Sequence, residues 1–264
     1  MNRKPRFLII TIMLLMILVL ILSIGSGLFD EQRNLYPTTV SEFGETGDYR
    51  INSETILESL SQGETDIFFT ENRDLDSYTP PGGGTYSWSQ ADYMKIATAL
   101  HQFEWGESLE GWRLFRMMFY TNCDDNLNGF AIGDFVFFKP VLRGLAIRYS
   151  ARETVIHPLV DSVTWGGSRT YPRPLLGWRS IDLTRLTVSA DDALKLAERN
   201  GGEEARLAVQ NGCYVFMSLG MQTGEGWSVM YSQNNGTTLF ETLIDPYSGE
   251  YKILNADYKS LSGQ

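Results

Sequence analysis

The sequence predicts an α+β protein: two tandem αβββ modules, each a helix packed on an antiparallel sheet, behind an N-terminal transmembrane helix. Three observations carry this. Glu153-Thr154-Val155-Ile156-His157-Pro158 is echoed by Glu241-Thr242-Leu243-Ile244-Asp245-Pro246. Upstream, Ser89-Gln90-Ala91-Asp92-Tyr93-Met94-Lys95-Ile96-Ala97 parallels Ser189-Ala190-Asp191-Asp192-Ala193-Leu194-Lys195-Leu196-Ala197 in the same order, which marks a tandem duplication. Residues 7–24 form an apolar run broken only by Thr11 and Ser23.

At 1.5 Å per residue that run reaches roughly 27 Å, close to a hydrocarbon core of about 30 Å. Arg3, Lys4 and Arg6 precede it, so the positive-inside rule assigns residues 1–6 to a cytoplasmic tail and 7–28 to a membrane anchor, with the remainder extracytoplasmic. The alternative is a cleaved signal peptide, with Ser23, Gly25, Ser26 and Gly27 near the cut and the rest secreted. Residues 29–85 read as a polar stalk, with a short helix over 53–60. It ends at Pro80-Pro81-Gly82-Gly83-Gly84, a hinge with no phosphate-loop lysine.

Module one spans 86–165. Ser89 and Asp92 form a capping box, and Tyr93, Ile96, Ala97 and Leu100 share one helical face. Strand-like runs at 112–120 and 130–138 flank the turn signal Asn128-Gly129; 146–149, 154–156 and 163–165 continue in strand composition. The apolar segment 166–188 is expected to pack between the modules through Trp178 and Ile181. Module two, 189–258, opens with a helix capped by Ser189 and Asp192 and stopped by Asn200-Gly201-Gly202, with strands at 214–219, 238–244 and 251–254. Residues 259–264 form a tail.

The helix opening 189–197 and the run Phe240-Glu241-Thr242-Leu243-Ile244-Asp245-Pro246-Tyr247-Ser248-Gly249-Glu250 make module two resemble a PepSY-type domain over about 65 residues. Module one departs from the pattern, with His157 for the Asp and Asp161-Ser162 for Ser-Gly. The resemblance implies an exported or membrane-tethered binding module of the kind that inhibits or chaperones peptidases, and it supplies no catalytic residues.

The formal net charge is −10, and without the three N-terminal cations it is −13, so phosphate-backbone binding is opposed and no nucleic-acid partner is expected. Cys123 and Cys213 occupy non-equivalent places in the copies; a bond between them would tie the modules together, and two semi-buried thiols are the other reading. Asp124, Asn126 and Asn128, with Asp134 beyond, match half a calcium loop, but Phe135 stands where a bidentate Glu belongs, so a hairpin turn is the competing reading. His101, expected at a helix end where a positive charge is favoured, and His157, expected at a turn, are the only histidines and form no metal spacing. Asn235-Gly236-Thr237 is a glycosylation sequon that also reads as a turn. Trp105, Trp112, Trp165, Trp178 and Trp227 are candidates either for core packing or for lining a ligand groove.

No catalytic signature or cofactor motif is found. The expectation is a non-catalytic binding or regulatory protein, held to the membrane through residues 7–28, that takes a protein or peptide partner outside the cytoplasm. The alternatives are a small-ligand sensor or carrier, or an enzyme using an inter-module cleft.

Overall fold

The computed structural model describes residues 13, 15–17, 45–64, 67–69, 87–123, 127, 129–143, 146–171, 180–220 and 226–260. The elements in chain order are β1 (Glu45–Arg50), α1 (Ile56–Ser61), α2 (Gln90–Trp105), β2 (Arg113–Asn122), β3 (Ile132–Arg143), β4 (Ala146–His157), β5 (Ser162–Tyr171), α3 (Ala190–Ala197), α4 (Glu203–Ala208), β6 (Cys213–Gly220), β7 (Trp227–Gln233), β8 (Thr238–Ile244) and β9 (Tyr251–Asn255).

The predicted fold class needs correction on two points. The modules are not separate αβββ units: each copy supplies four strands, and all strands join one antiparallel sheet in the order β1-β5-β4-β3-β2-β6-β7-β8-β9. The copies meet through their first strands, β2 and β6, with Phe119 opposite Met217 at the centre of the pairing. Each first strand would otherwise present a long apolar edge, and pairing the two removes both at once. The second point is the anchor. Among the described residues no helix is long and apolar enough to cross a membrane. Most of the 7–28 segment lies outside the described residues; Met13 and Leu15, Met16 and Ile17 are helical and exposed.

The repeated helices α2 and α3 both begin on a serine cap. Ser89 and Asp92 complete the capping box of α2, which ends at Gly106 in the left-handed conformation (φ 62°). Ser189 Oγ accepts from Asp192 N–H at the start of α3. The two starts lie side by side and cap each other: Gln90 N–H donates to Asp191 Oδ2 at 2.9 Å, and Ala190 N–H donates to Gln90 Oε1 at 2.7 Å. Asp191 thus places a carboxylate where two helix N-termini concentrate positive charge. Asn200-Gly201-Gly202 does not stop the second helix as predicted. It kinks it, with Gly201 at φ 124°, and α4 carries on to Ala208.

The core lies on the helix-bearing face. Tyr93, Ile96, Ala97 and Leu100 of α2 and Ala193, Leu194 and Ala197 of α3 pack on Met117, Phe119, Phe135, Val215, Met217, Val229 and Trp227. The repeated Glu-Thr pair has a positional logic within this frame. Thr154 pairs with Phe135 and Thr242 with Val229, so both threonines face the helices and both are buried, while Glu153 and Glu241 point to the other face. The twin segments are therefore third strands, each followed by a fourth.

Residues 45–64 fall in the stretch read as a stalk, yet they belong to the folded body. Ile51 and Ile56 are buried, and β1 pairs along β5. The turn after β4 secures them. Asp161 C=O accepts from Ile51 N–H at 3.0 Å, and Asp161 Oδ1 accepts from Ser53 N–H at 3.0 Å. The matching turn of copy two satisfies itself: Asp245 Oδ1 accepts from Tyr247 and Ser248 N–H at 2.8 Å each, which also holds the Asp245 carboxyl below its usual range. The divergent turn of copy one thus secures the chain just after β1, the strand added at the edge of β5.

Candidate functional site

Counting on from Ser89 and Ser189, and from the Glu-Thr pairs along the strands, four positions differ sharply between the copies. Copy two has Gly201, Ala205, Gly212 and Phe240; copy one has His101, Trp105, Trp112 and Arg152. In copy two Phe240 fills the space over the helix, and a Cβ on Gly201 would come within 2.9 Å of its ring. That contact and the positive φ together demand glycine there.

In copy one the arginine at the phenylalanine's place is also buried, 9% exposed, and stacked between two indoles. Its guanidinium carbon is 4.3 Å from the Trp105 ring centre and 4.2 Å from that of Trp112. Arg152 Nη1 donates to His101 Nε2 at 2.9 Å, while His101 Nδ1–H donates to Glu107 C=O at 3.0 Å, which sets the tautomer. The outer edge of the guanidinium meets the Glu107 carboxylate at 3.6 Å, and Lys139 Nζ reaches the same oxygen at 3.4 Å. Trp165 closes the cluster edge-on to Trp105 at 5.5 Å.

His101 lies in the body of α2, fully buried, so the expectation of a favoured positive charge is reversed. Burial pushes its pKa down to about 4, with the Arg152 charge adding to the effect and the Glu107 carbonyl opposing it. The unfolded chain takes up this proton near pH 6.5 and the folded chain only near 4. The stabilisation is therefore complete above about 6.5 and is lost as pH falls toward 4, by up to about 3 kcal/mol. In His101→Gln, which keeps a donor and an acceptor but cannot titrate here, urea unfolding should show a visibly flatter stability profile between those two pH values.

Trp112 also walls an open groove of about 380 Å³, lined by Met94, Leu109, Leu114, Phe137, Ile181 and Leu183, with Arg113 and Asp182 at its rim. Ile181 N–H donates to Leu114 C=O at 2.9 Å, so part of the inter-module segment forms one wall; Trp178 lies outside the described residues. The groove belongs to copy one rather than to a cleft between modules, and it holds one carboxylate. Nothing in it pairs two acids for proton transfer.

The other calcium candidates, Asp124, Asn126 and Asn128, lie outside the described residues. Asp134 does not point toward that loop's chemistry: it is buried on the helix-free face, accepting from Arg116 Nη2 at 3.0 Å, with Glu153 accepting from the same nitrogen at 2.8 Å. Burial pushes the Asp134 carboxyl up, against the pull of Arg116. Among the described residues no cluster of three His, Cys, Asp or Glu could hold a metal ion. Cys123 and Cys213 are disulfide-bonded, one step beyond Asn122 and Tyr214 in the β2–β6 register. His157 ends β4 before the 3-10 turn Pro158–Val160, with its pKa lowered by burial. Asn235 and Gly236 form the β7–β8 turn, and Trp227 is core, donating to Val188 C=O at 3.0 Å.

Sequence reasoning did not single out Arg152. The signal was present one residue before the repeated Glu-Thr, where Arg152 faces Phe240 in the alignment of the copies, and in the helix, where His101 faces Gly201.

A last feature lies at the far end of the sheet. In the strand order β9 has β8 as its one neighbour among the described residues. Thr242 Oγ1 donates to Lys252 C=O at 3.1 Å, so Lys252 turns its carbonyl toward β8 and the alternating residues Tyr251 and Ile253 point their amides and carbonyls outward. Tyr251, Ile253 and Leu254 are large, apolar and exposed.

The fold and these sites define a protein built on one nine-stranded antiparallel sheet with a few helices on one face. No family model, curated protein or solved structure matches the chain.

Proposed function

We propose that the protein is a non-catalytic binding or regulatory protein, working outside the cytoplasm, that takes an extended segment of a protein partner along the edge of β9. The observation that carries this is internal to the chain. The fourth strand of copy one, β5, already has a strand added to it: β1, antiparallel, from Glu45 opposite Gly167 to Arg50 opposite Ser162. The fourth strand of copy two, β9, ends the sheet among the described residues, with outward-facing backbone groups. A strand edge of this kind gives main-chain affinity, and exposed side chains beside it give selectivity. The outer edge of β1 is less open, because Arg50 and Phe69 exchange backbone hydrogen bonds of 2.8 and 2.9 Å. The disulfide supports an oxidising compartment. The PepSY-like residues 189–197 and 240–250, which contribute α3 and β8, support a binding role over an enzymatic one.

The test uses the outward amide of Ile253. Proline there removes a donor that the β8 ladder does not use, so the fold survives, whereas an incoming strand loses a hydrogen bond and meets the ring. Random peptides displayed on phage are selected on the purified protein, and binding is compared across wild type, Ile253→Pro and Ile253→Ala. Selected peptides should bind wild type and Ile253→Ala and lose at least about tenfold on Ile253→Pro. Equal binding to all three would remove the edge from the account. A wild-type dimer that Ile253→Pro dissolves would reassign the edge to a second copy of the chain.

A further inference from the structure

The exchange of Gly201, Ala205, Gly212 and Phe240 for His101, Trp105, Trp112 and Arg152 does more than repack a core. An apolar plug suffices in copy two. Copy one instead buries a guanidinium, and desolvation of such a group is costly unless it is stacked and hydrogen-bonded on all sides. Its inner edge is satisfied by His101 and its faces by two indoles. Its outer edge is turned to a carboxylate, Glu107, whose side chain is 48% exposed. Lys139 approaches the same oxygen and lies 5.7 Å from the Trp112 ring centre. Arg113, the residue after Trp112, is exposed and has no ion-pair partner among the described residues. Two cations, Arg152 and Lys139, thus lie over one tryptophan in a chain of net charge −10. The same tryptophan is also one wall of a groove lined by Met94, Leu109, Leu114 and Ile181, whose volume, about 380 Å³, suits a small ligand or one large side chain.

We infer that this is a recognition site for a carboxylate carried on an apolar body, with Glu107 as the chain's own occupant. The incoming carboxylate replaces Glu107 on Lys139 and the outer edge of Arg152. The apolar body lies along Trp112 and enters the groove between Met94, Leu109 and Ile181. Glu107 follows the left-handed cap at Gly106, at the end of α2, so it can swing out without unwinding the helix. The alternative, that Arg152 is only a polar substitute for Phe240, accounts for the stacking but not for a second cation on an exposed carboxylate next to the tryptophan that walls a groove. This site lies in copy one and does not depend on the β9 edge in copy two; either reading stands if the other fails.

The probe is N-acetyl-L-phenylalanine, followed by tryptophan fluorescence of the purified full chain. Its amide, which lacks the charge, is the control. The acid is expected to bind saturably and the amide much more weakly. Glu107→Gln, which removes the competing charge, should tighten the acid by about threefold, and Lys139→Ala should weaken it by about threefold, the scale of one half-exposed ion pair. Both substitutions lie at the surface and leave the stacked core in place. An acetylated and amidated Phe-Asp peptide, whose one carboxylate is a side chain, separates an internal acidic residue from a chain terminus as the source, according to which probe binds tighter. Equal binding of acid and amide, no saturable signal with the Glu107→Gln protein, or indifference of binding to both substitutions would each overturn the inference.

Discussion

Arg116→Met is expected to lower the unfolding free energy by about 3–5 kcal/mol at pH 7, the cost of breaking a buried ion pair by removing one partner. Arg116 Nη2 holds Asp134 and Glu153 at 3.0 and 2.8 Å, and all three residues are buried on the face of the sheet away from the helices. Removing the cation takes it from two buried carboxylates on the face that also carries the apolar cluster Phe115, Val136, Phe138 and Ala151. The loss should shrink as pH falls, because protonation relieves the stranded charge. Asp134 leads that relief, its carboxyl being already pushed up by burial. Replacing all three with apolar residues of similar size should recover most of the stability. Urea titrations at several pH values measure each of these. A loss under about 1 kcal/mol for Arg116→Met would mean that water reaches the triad.

The second large effect concerns the seam between the copies. Cys123→Ser with Cys213→Ser should cost up to about 4.5 kcal/mol, because the bond closes a loop of 90 residues in the unfolded chain. The sheet itself should survive, since β2 and β6 stay paired from Arg116–Gly220 to Asn122–Tyr214. A fall in melting temperature on adding reductant to wild type, absent in the double variant, is the expected signature. Indifference of wild type to reductant would show that the seam does not depend on the bond.

The elements were largely readable in the chain. Capping boxes, the Tyr93-to-Leu100 face and the alternating runs placed both helices and the strands of both copies, because these are local signals. What the residues could not show is pairing between copies. Nothing in β2 or β6 distinguishes a central strand from an edge, so two separate sheets were expected where one is found. β1 was missed for a related reason. Glu45–Arg50 is polar and short, and it is held by Trp165, Phe68 and Asp161, all distant in sequence. The altered turn at His157 to Ser162 was visible as a departure of copy one from copy two, but its purpose, docking the chain before it, needed the structure.

The same limit applies to the sites. His101 alone suggested a helix-end charge, and only its position over Arg152 shows that it is neutral and buried. The calcium reading of Asp134 rested on spacing along the chain, while the pleat of β3 turns that carboxylate to the opposite face, toward Arg116. Comparison of the two copies position by position was the strongest unused signal, since Arg152 and Phe240 occupy the same place with opposite chemistry.

β9 is proposed to accept an added strand, as β5 accepts β1. Amide hydrogen exchange on the complex with a selected peptide tests it most directly. Protection is predicted to rise at the outward-facing Tyr251 and Ile253, while Lys252, already turned toward β8, changes little. Unchanged exchange at Tyr251 and Ile253 in a saturated complex would contradict it.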